Sequence, residues 1–281
     1  METTTSVEAL RAQVSHWRRQ GERIAFVPTM GNLHAGHLQL VREARAMAPR
    51  VVVSIFVNPL QFGPNEDLDN YPRTLEADRQ KLVAKGVDLL FAPAVETMYP
   101  RGAQRSTRVE VPDVGQGLCD DFRPGHFTGV ATVVARLFNL VQPDVALFGE
   151  KDYQQLAVIR RMVDDLGWPI DIRGVATVRE ADGLAMSSRN QYLGEEERRI
   201  APLLYQTLRW LVSEVKAQKT DYRALERAAM ARLAEAGFTP DYVEIRHADS
   251  LQPVSMGELN CVVLAAARLG AARLIDNLRV E

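Results

Sequence analysis

From Arg23 to about Val175 the chain alternates short β-branched, apolar runs with stretches of helical period, and few folds tolerate that alternation. RIAFVPT, RVVVSIFVN, VDLLFAP, DVALFG and IDIRGVATV read as strands. Helices fit between them from about Leu38 to Ala48, Leu75 to Lys85, Phe127 to Val141 and Tyr153 to Leu166. Connections of that length join parallel neighbours, because a parallel pair needs a crossover of about a dozen residues or more. The expected fold class is α/β, with a doubly wound, Rossmann-like parallel sheet.

Two regions depart from the pattern. Between Pro93 and Gly125 the sequence is polar and contains Gly and Pro, with one alternating run, STRVEV, which points to a long loop or hairpin insertion. After READGLAMSSRNQYL, two helices (about Glu195 to Lys216 and Asp221 to Ala236) precede three β-rich runs, DYVEIRHA, CVVLAAARL and RLIDNLRV. This piece reads as a smaller C-terminal α+β domain joined near Thr177, which divides the chain into residues 1–176 and 177–281. At the N-terminus, METTTSVEALRAQVSHWRRQG has no apolar signal-peptide core. Thr5 and Glu8 read there as a capping box for an amphipathic helix carrying Val7, Leu10, Val14 and Trp17.

Charge and cysteine usage narrow the function classes. With 34 Lys+Arg against 36 Asp+Glu the formal net charge is −2, and no long run of like charge marks a nucleic-acid partner. The apolar stretches Ala131 to Val141 and Cys261 to Leu274 are interrupted by Arg136 and by Arg268 with Arg273, and neither reaches membrane-span length. Cys119 and Cys261 lie far apart and offer neither a disulfide framework nor a paired metal-ligand spacing, which fits a reducing cytoplasm.

The chemistry-bearing motifs follow the carboxyl ends of the expected strands, where open parallel sheets bind ligands. In VPTMGNLHAGHLQL, His34 and His37 stand between the first strand and its helix, where unpaired N–H groups and the helix dipole favour an anion. Gly31 and Gly36 are expected to let a phosphate approach the backbone, and the imidazoles to donate to oxygens gaining charge in a transition state. A helix cap with a surface histidine, or zinc on two imidazoles, are the other readings of that spacing; no third ligand of comparable clarity supports zinc. VNPLQFG supplies Asn58 and Gln61, groups that donate and accept and so read hydroxyls, and Tyr71 is a pocket wall or a core residue. In LFGEKDYQQL, Lys151 suits triphosphate oxygens and Asp152 suits ribose hydroxyls; in VREADGLAMSSRN, Ser187, Ser188 and Arg189 offer two hydroxyls and a planar cationic fork. His126 is expected to open a helix, His16 and His247 to lie at the surface or core edge, and Arg123 to order over a substrate phosphate. The acidic run NEDLDN reads as a solvated loop in preference to a magnesium site.

The His-x-Gly-His motif resembles the "HIGH" signature of nucleotidylyltransferases and class I aminoacyl-tRNA synthetases. The ordered blocks FVPTMGNLHAGH, IFVNPLQFGPNEDLDNYPRT, LFGEKDYQQL and READGLAMSSRNQYL resemble the pantothenate synthetase family over roughly Ile24 to Leu193. MSSR departs from the "KMSKS" loop of the wider superfamily, whose lysines are missing, and no basic anticodon-reading domain follows it. The resemblance implies an AMP-forming ligase that uses ATP with magnesium, joins pantoate and β-alanine into pantothenate through a pantoyl adenylate, and works as a homodimer. It implies an ATP site of Met30, Gly31, Asn32, Leu33, His34, Ala35, Gly36 and His37, then Gly149, Glu150, Lys151 and Asp152, then Val178, Met186, Ser187, Ser188 and Arg189. Val178 and Met186 would meet the adenine through main-chain atoms. Pro28, Asn58, Gln61, Tyr71 and Gln155 would surround the substrates, with Gln61 touching both pantoate and the amine. His37, His34, Lys151 and Arg189 are the expected catalytic groups, His37 foremost as a transition-state stabiliser that also donates a proton. The competing readings are nucleotidyl transfer to a phosphorylated alcohol and a nucleotide-binding regulatory module.

Overall fold

The computed structural model describes residues 1–281 except 64, 65, 67, 218–220, 256 and 281, so part of the NEDLDN run lies outside the described residues. Six parallel strands form one sheet: β1 (Glu2–Thr4), β2 (Ile24–Thr29), β3 (Arg50–Ile55), β4 (Leu89–Phe91), β5 (Val145–Gly149) and β6 (Asp171–Val175). Their order is β1-β4-β3-β2-β5-β6. The chain runs outward from β2 through β3 and β4, then returns to the other side of β2 for β5, so the order reverses between β2 and β5. Such a reversal opens a crevice at the carboxyl ends of the two strands.

Among the described residues seven α-helices belong to this part: α1 (Val7–Arg19), α2 (Ala35–Met47), α3 (Leu75–Ala84), α4 (Val95–Met98), α5 (Cys119–Phe122), α6 (His126–Val141) and α7 (Tyr153–Asp165). Strand alternation assigns them to two faces. Ile24 and Phe26 of β2 pack with α1, α6 and α7, while Ala25 and Val27 pack with α2 and Leu82 of α3. The doubly wound expectation is met.

Two local expectations need correction, and the loop-or-hairpin alternative resolves to a loop. The cap of α1 is Ser6, whose Oγ accepts from Ala9 N at 3.1 Å; Thr5 is not the cap, and the residues before it form β1, paired with the edge of β4 from Glu2 opposite Leu89. A three-residue Thr-rich strand has no readable period; it exists because the β4 edge offers unpaired backbone groups. The insertion is not a hairpin: STRVEV has no ladder partner, and the segment is held by Val111, Val114, Leu118 and Cys119 sinking into the α6–α7 core. The long helix expected from Glu195 breaks into α8 (Glu195–Ile200) and α9 (Leu203–Lys216) at Pro202, which lacks the N–H a continuous helix needs.

The C-terminal part adds α10 (Tyr222–Glu235) and an antiparallel sheet of β7 (Thr239–His247), β8 (Cys261–Leu269) and β9 (Ala272–Arg279). Strand β8 is apolar almost throughout because both its faces are covered. Cys261, Val263, Ala265 and Ala267 lie in the core of α9 and α10, whereas Val262, Leu264 and Ala266 pack into the α6–α7 cluster of the first sheet. The small sheet thus docks on the large one. Among the described residues no helix is long and apolar enough to cross a membrane.

Candidate active site

Four segments leave the carboxyl ends of the adjacent strands β3, β2, β5 and β6 and converge on one cleft. The β2 segment turns through two left-handed residues, Gly31 (φ 85°) and Asn32 (φ 51°), which aims successive amides the same way. Those amides do not wait for phosphate. Asn32 N and Leu33 N each donate at 2.8 Å to the Asp78 carboxylate of α3, a side chain with no exposed surface, and Thr74 Oγ1 donates to it at 3.0 Å. A Cβ on Gly31 would press on Ile55 at 3.1 Å and Asp78 at 3.3 Å. The glycine serves this internal anion site, a role its sequence context did not announce.

The two histidines then cap α2 reciprocally. His34 Nδ1 accepts from Gly36 N at 3.1 Å, and His37 Nδ1 accepts from His34 N at 3.3 Å, a capping box built from imidazoles. An Nδ1 that accepts carries no proton, so each ring is neutral with its proton on Nε2, the donor left for a ligand. Burial, then the His34 ring and Lys151, push His37 down to about 3; burial, then Lys151, push His34 down to about 4. The ring centroids are 4.1 Å apart, and a Cβ on Gly36 would meet the His34 ring at 2.9 Å. The glycine between the histidines is therefore fixed by the room one ring needs. The surface-residue reading of this motif fails, since both rings line the cleft.

From β5, Gly149 leads into the turn Glu150–Asp152, which puts Lys151 and Asp152 on the cleft wall with Nζ and Oδ2 3.8 Å apart. Gln154 turns inward and ties the insertion by accepting from Cys119 N and donating to Val114 O, both at 3.1 Å, so its neighbour Gln155 is the one that lines the cleft. From β6, Met186 N donates to Val178 O at 2.9 Å and Ser187 Oγ accepts from Arg189 N at 3.2 Å, presenting Val178, Met186, Ser187, Ser188 and Arg189 to the same space.

The β3 segment separates two residues that the sequence treats alike. Gln61 lines the cleft, where its Nε2 donates to Met30 Sδ at 2.9 Å. Asn58 stands behind it, 1 % exposed, donating to Gln61 Oε1 and Gly129 O at 3.1 Å and accepting from Tyr99 OH at 2.8 Å. Every polar atom of Asn58 is occupied, so it orients Gln61 and does not form the cleft wall. His126, which opens α6, donates from Nδ1 to Gln61 O at 2.8 Å and accepts from Arg123 at Nε2, and burial pushes it down to about 4. Arg123 is held by both oxygens of Glu66 at 2.6 Å and lines a smaller hollow beside the cleft, shared with Lys151, Asp152 and Gln155.

The cleft also has an apolar lining: Val130, Val133, Val134 and Leu137 of α6, with Phe56 and Tyr71. Gly129 brings α6 there, since a Cβ would lie 2.1 Å from Leu60 O. Gly129→Ala must displace α6 or the Gln61 turn; we expect a loss of about 1–3 kcal/mol in urea unfolding and a raised KM for the ligand held by Gln61, with that of the nucleotide little changed. Pro28 and Met30 line the cleft too, whereas Gly31, Asn32, Leu33, Ala35 and Glu150 do not. Asp78 and the α6 valines had no signal in the sequence beyond an ordinary acidic first turn and a helix apolar on all sides. Among the described residues no three His, Cys, Asp or Glu side chains gather as a metal-ligand set.

The family model described as pantoate-beta-alanine ligase matches residues 2–279. The chain belongs to the pantoate–β-alanine ligase family. A pantothenate synthetase of Azotobacter vinelandii is 59 % identical over 281 residues, covering 100 % of this chain and 99 % of its own. A crystal structure of pantothenate synthetase from Thermus thermophilus superposes with a TM-score of 0.92 at 52 % identity, covering 100 % of this chain and 99 % of that one. The ligase of Francisella tularensis, solved with "Beta-gamma ATP" and β-alanine, gives 0.84 at 33 % identity, over 100 % and 98 % of the two chains. The chain is thus an enzyme of pantothenate biosynthesis, with a Rossmann-like core and a C-terminal sheet.

Two buried histidines give the ligase a defined acid weakness. Burial pushes His37 down to about 3 and His126 down to about 4, below the ordinary 6.5, so the unfolded chain binds more protons between these values. Their stabilisation is present above pH 6.5 and is lost as pH falls toward the folded values. Part of each ring still faces solvent, so urea unfolding at pH 5 should be weaker than at pH 7.5 by about 1–2 kcal/mol for each. Stability unchanged between those pH values would contradict the neutral, accepting rings.

Proposed function

We propose that the ligase works in two steps. The carboxylate of pantoate attacks the α-phosphate of ATP and expels pyrophosphate, giving pantoyl adenylate; the amine of β-alanine then attacks the acyl carbon and expels AMP. A free carboxylate has no usable leaving group, and the mixed anhydride supplies one. The observation that carries this reading is the mixed lining of one cleft: His34, His37, Lys151 and Arg189 come to it from three segments, together with Gln61, Gln155 and the α6 valines. Pantoate has two hydroxyls for the glutamines and a dimethyl-substituted carbon for Val130, Val133 and Val134. The Francisella relative, solved with an ATP compound and β-alanine, supports the same ligands here.

In this reading Lys151 and Arg189 neutralise the phosphates, Ser187 and Ser188 hydrogen-bond them, and the histidine Nε2–H groups meet charge developing at the α-phosphate. Asp152 accepts from the ribose, and Val178 and Met186 present main-chain atoms to the adenine. Catalysis rests on alignment and charge, without a covalent enzyme intermediate. Asp152 is the only carboxylate among the described cleft-lining residues, too few for a protein cage around magnesium. It suits an ion that arrives on the triphosphate and keeps its waters. The reading places the C-terminal part, residues 177–281, as a second domain over the cleft, and includes a cytoplasmic homodimer, an expectation of the family that sedimentation would test.

Mass spectrometry of mixtures with ATP, magnesium and pantoate should show pyrophosphate and a pantoyl adenylate mass before β-alanine is added, and AMP with pantothenate after. Pyrophosphate formed only once the amine is present would favour a concerted route.

A further inference from the structure

We propose that Asp276 and Asn277 of β9 are positioning residues for the ligation, a strut that fixes the distance between the Lys151 turn and the segment carrying Met186 to Arg189. The inference rests on the role given above to Lys151. Neither residue lines the cleft, yet both side chains are spent on segments that do. Asn277 Nδ2 has two hydrogens and uses both, donating to Glu150 O at 2.8 Å and Lys151 O at 2.9 Å. Its neighbour Asp276, 3 % exposed, accepts from Arg179 at 2.6 and 2.9 Å and from Asn277 N at 2.8 Å.

Arg179 extends the strut to the second segment. It donates to Gly183 O at 3.1 Å, lies 3.8 Å over the Tyr205 ring, and sits in an antiparallel bridge with Ala185, the residue before Met186. Gly183 is left-handed (φ 94°), and a Cβ there would strike Tyr205 at 2.5 Å, so the turn is built around this stack. The links run Lys151 turn, Asn277, Asp276, Arg179, Ala185, Met186. A buried fork pairing of this kind holds its partners in one geometry, and the triphosphate cations on both ends need that register. The C-terminal sheet, which offers little of the cleft surface, thereby sets the cleft's internal spacing.

A double-mutant cycle tests it, using pantoate-dependent pyrophosphate release by the full chain with Asn277→Ala, Lys151→Ala and both, alongside thermal melting. Lys151→Ala alone should lower kcat by about 10²-fold or more. Asn277→Ala should lower kcat by about 10–30-fold with the KM for β-alanine within about twofold, and by less than about twofold once Lys151 is absent, because it acts through that residue. Asn277→Ser, which can bond only one carbonyl, should fall between and replaces the alanine variant if that one fails to fold. An equal factor in both backgrounds, or no loss from either Asn277 variant, overturns the strut while leaving Lys151 in place. Full activity of Lys151→Ala overturns the Lys151 assignment itself and the strut with it.

Discussion

His37→Ala is expected to lower pantoate-dependent pyrophosphate release by about 10²–10³. The folded chain should lose only about 1 kcal/mol, the worth of one capping acceptor. The expectation follows from where the proton lies. His37 Nδ1 is taken by the His34 amide, so the ring offers Nε2–H to the cleft as a neutral hydrogen-bond donor. This changes the role read from the sequence, where His37 also gives up a proton. A ring that stays neutral down to about 3 is no acid near neutral pH, and its contribution is a fixed donor aimed at growing negative charge. Two further measurements follow: the rate should show no histidine ionisation between about pH 6 and 8, and His37→Asn, which keeps an N–H donor, should recover part of the loss. Near-normal release by a well-folded alanine variant would remove His37 from the chemistry.

Asp78→Ala should be the most destabilising single change near the cleft, by roughly 3–5 kcal/mol in urea unfolding. It strands two amides, Asn32 N and Leu33 N, that the left-handed residues aim together at one carboxylate. Without it the amides lose a charge-assisted partner and the turn loses its reason to hold Gly31 at φ 85°. The loop leads straight into His34, so activity should fall together with stability. Asp78→Asn, which keeps the shape but can accept with only one atom, should lie between. An alanine variant within about 1 kcal/mol of the parent would show that the loop keeps its form unaided.

Strands β2 to β5 were legible because they are mostly buried and the helices between them long, so period and length agreed there. β1 was not, since three threonine-rich residues become a strand only when the β4 edge is there to pair with. The convergence of His34, His37, Lys151 and Arg189 on one cleft could be expected from their places after three strands, as could that of Gln61 after a fourth. What the motif residues do for one another could not. Gly36 makes room for a ring, Gly31 serves Asp78, and Asn58 holds Gln61; all three depend on where particular side chains lie in space, which the one-dimensional pattern does not encode. The strut on β9 escaped for the same reason: RLIDNLRV reads only as a β-rich run, and the docking of the small sheet is what brings Asn277 to the Lys151 turn.

Oxygen tracing tests the proposed chemistry most directly. Pantoate labelled with oxygen-18 in its carboxylate, turned over with ATP and β-alanine, should deliver one labelled oxygen to AMP, because the attacking oxygen stays on the α-phosphate when the amine displaces it. Label in orthophosphate or pyrophosphate, with none in AMP, would contradict an adenylate.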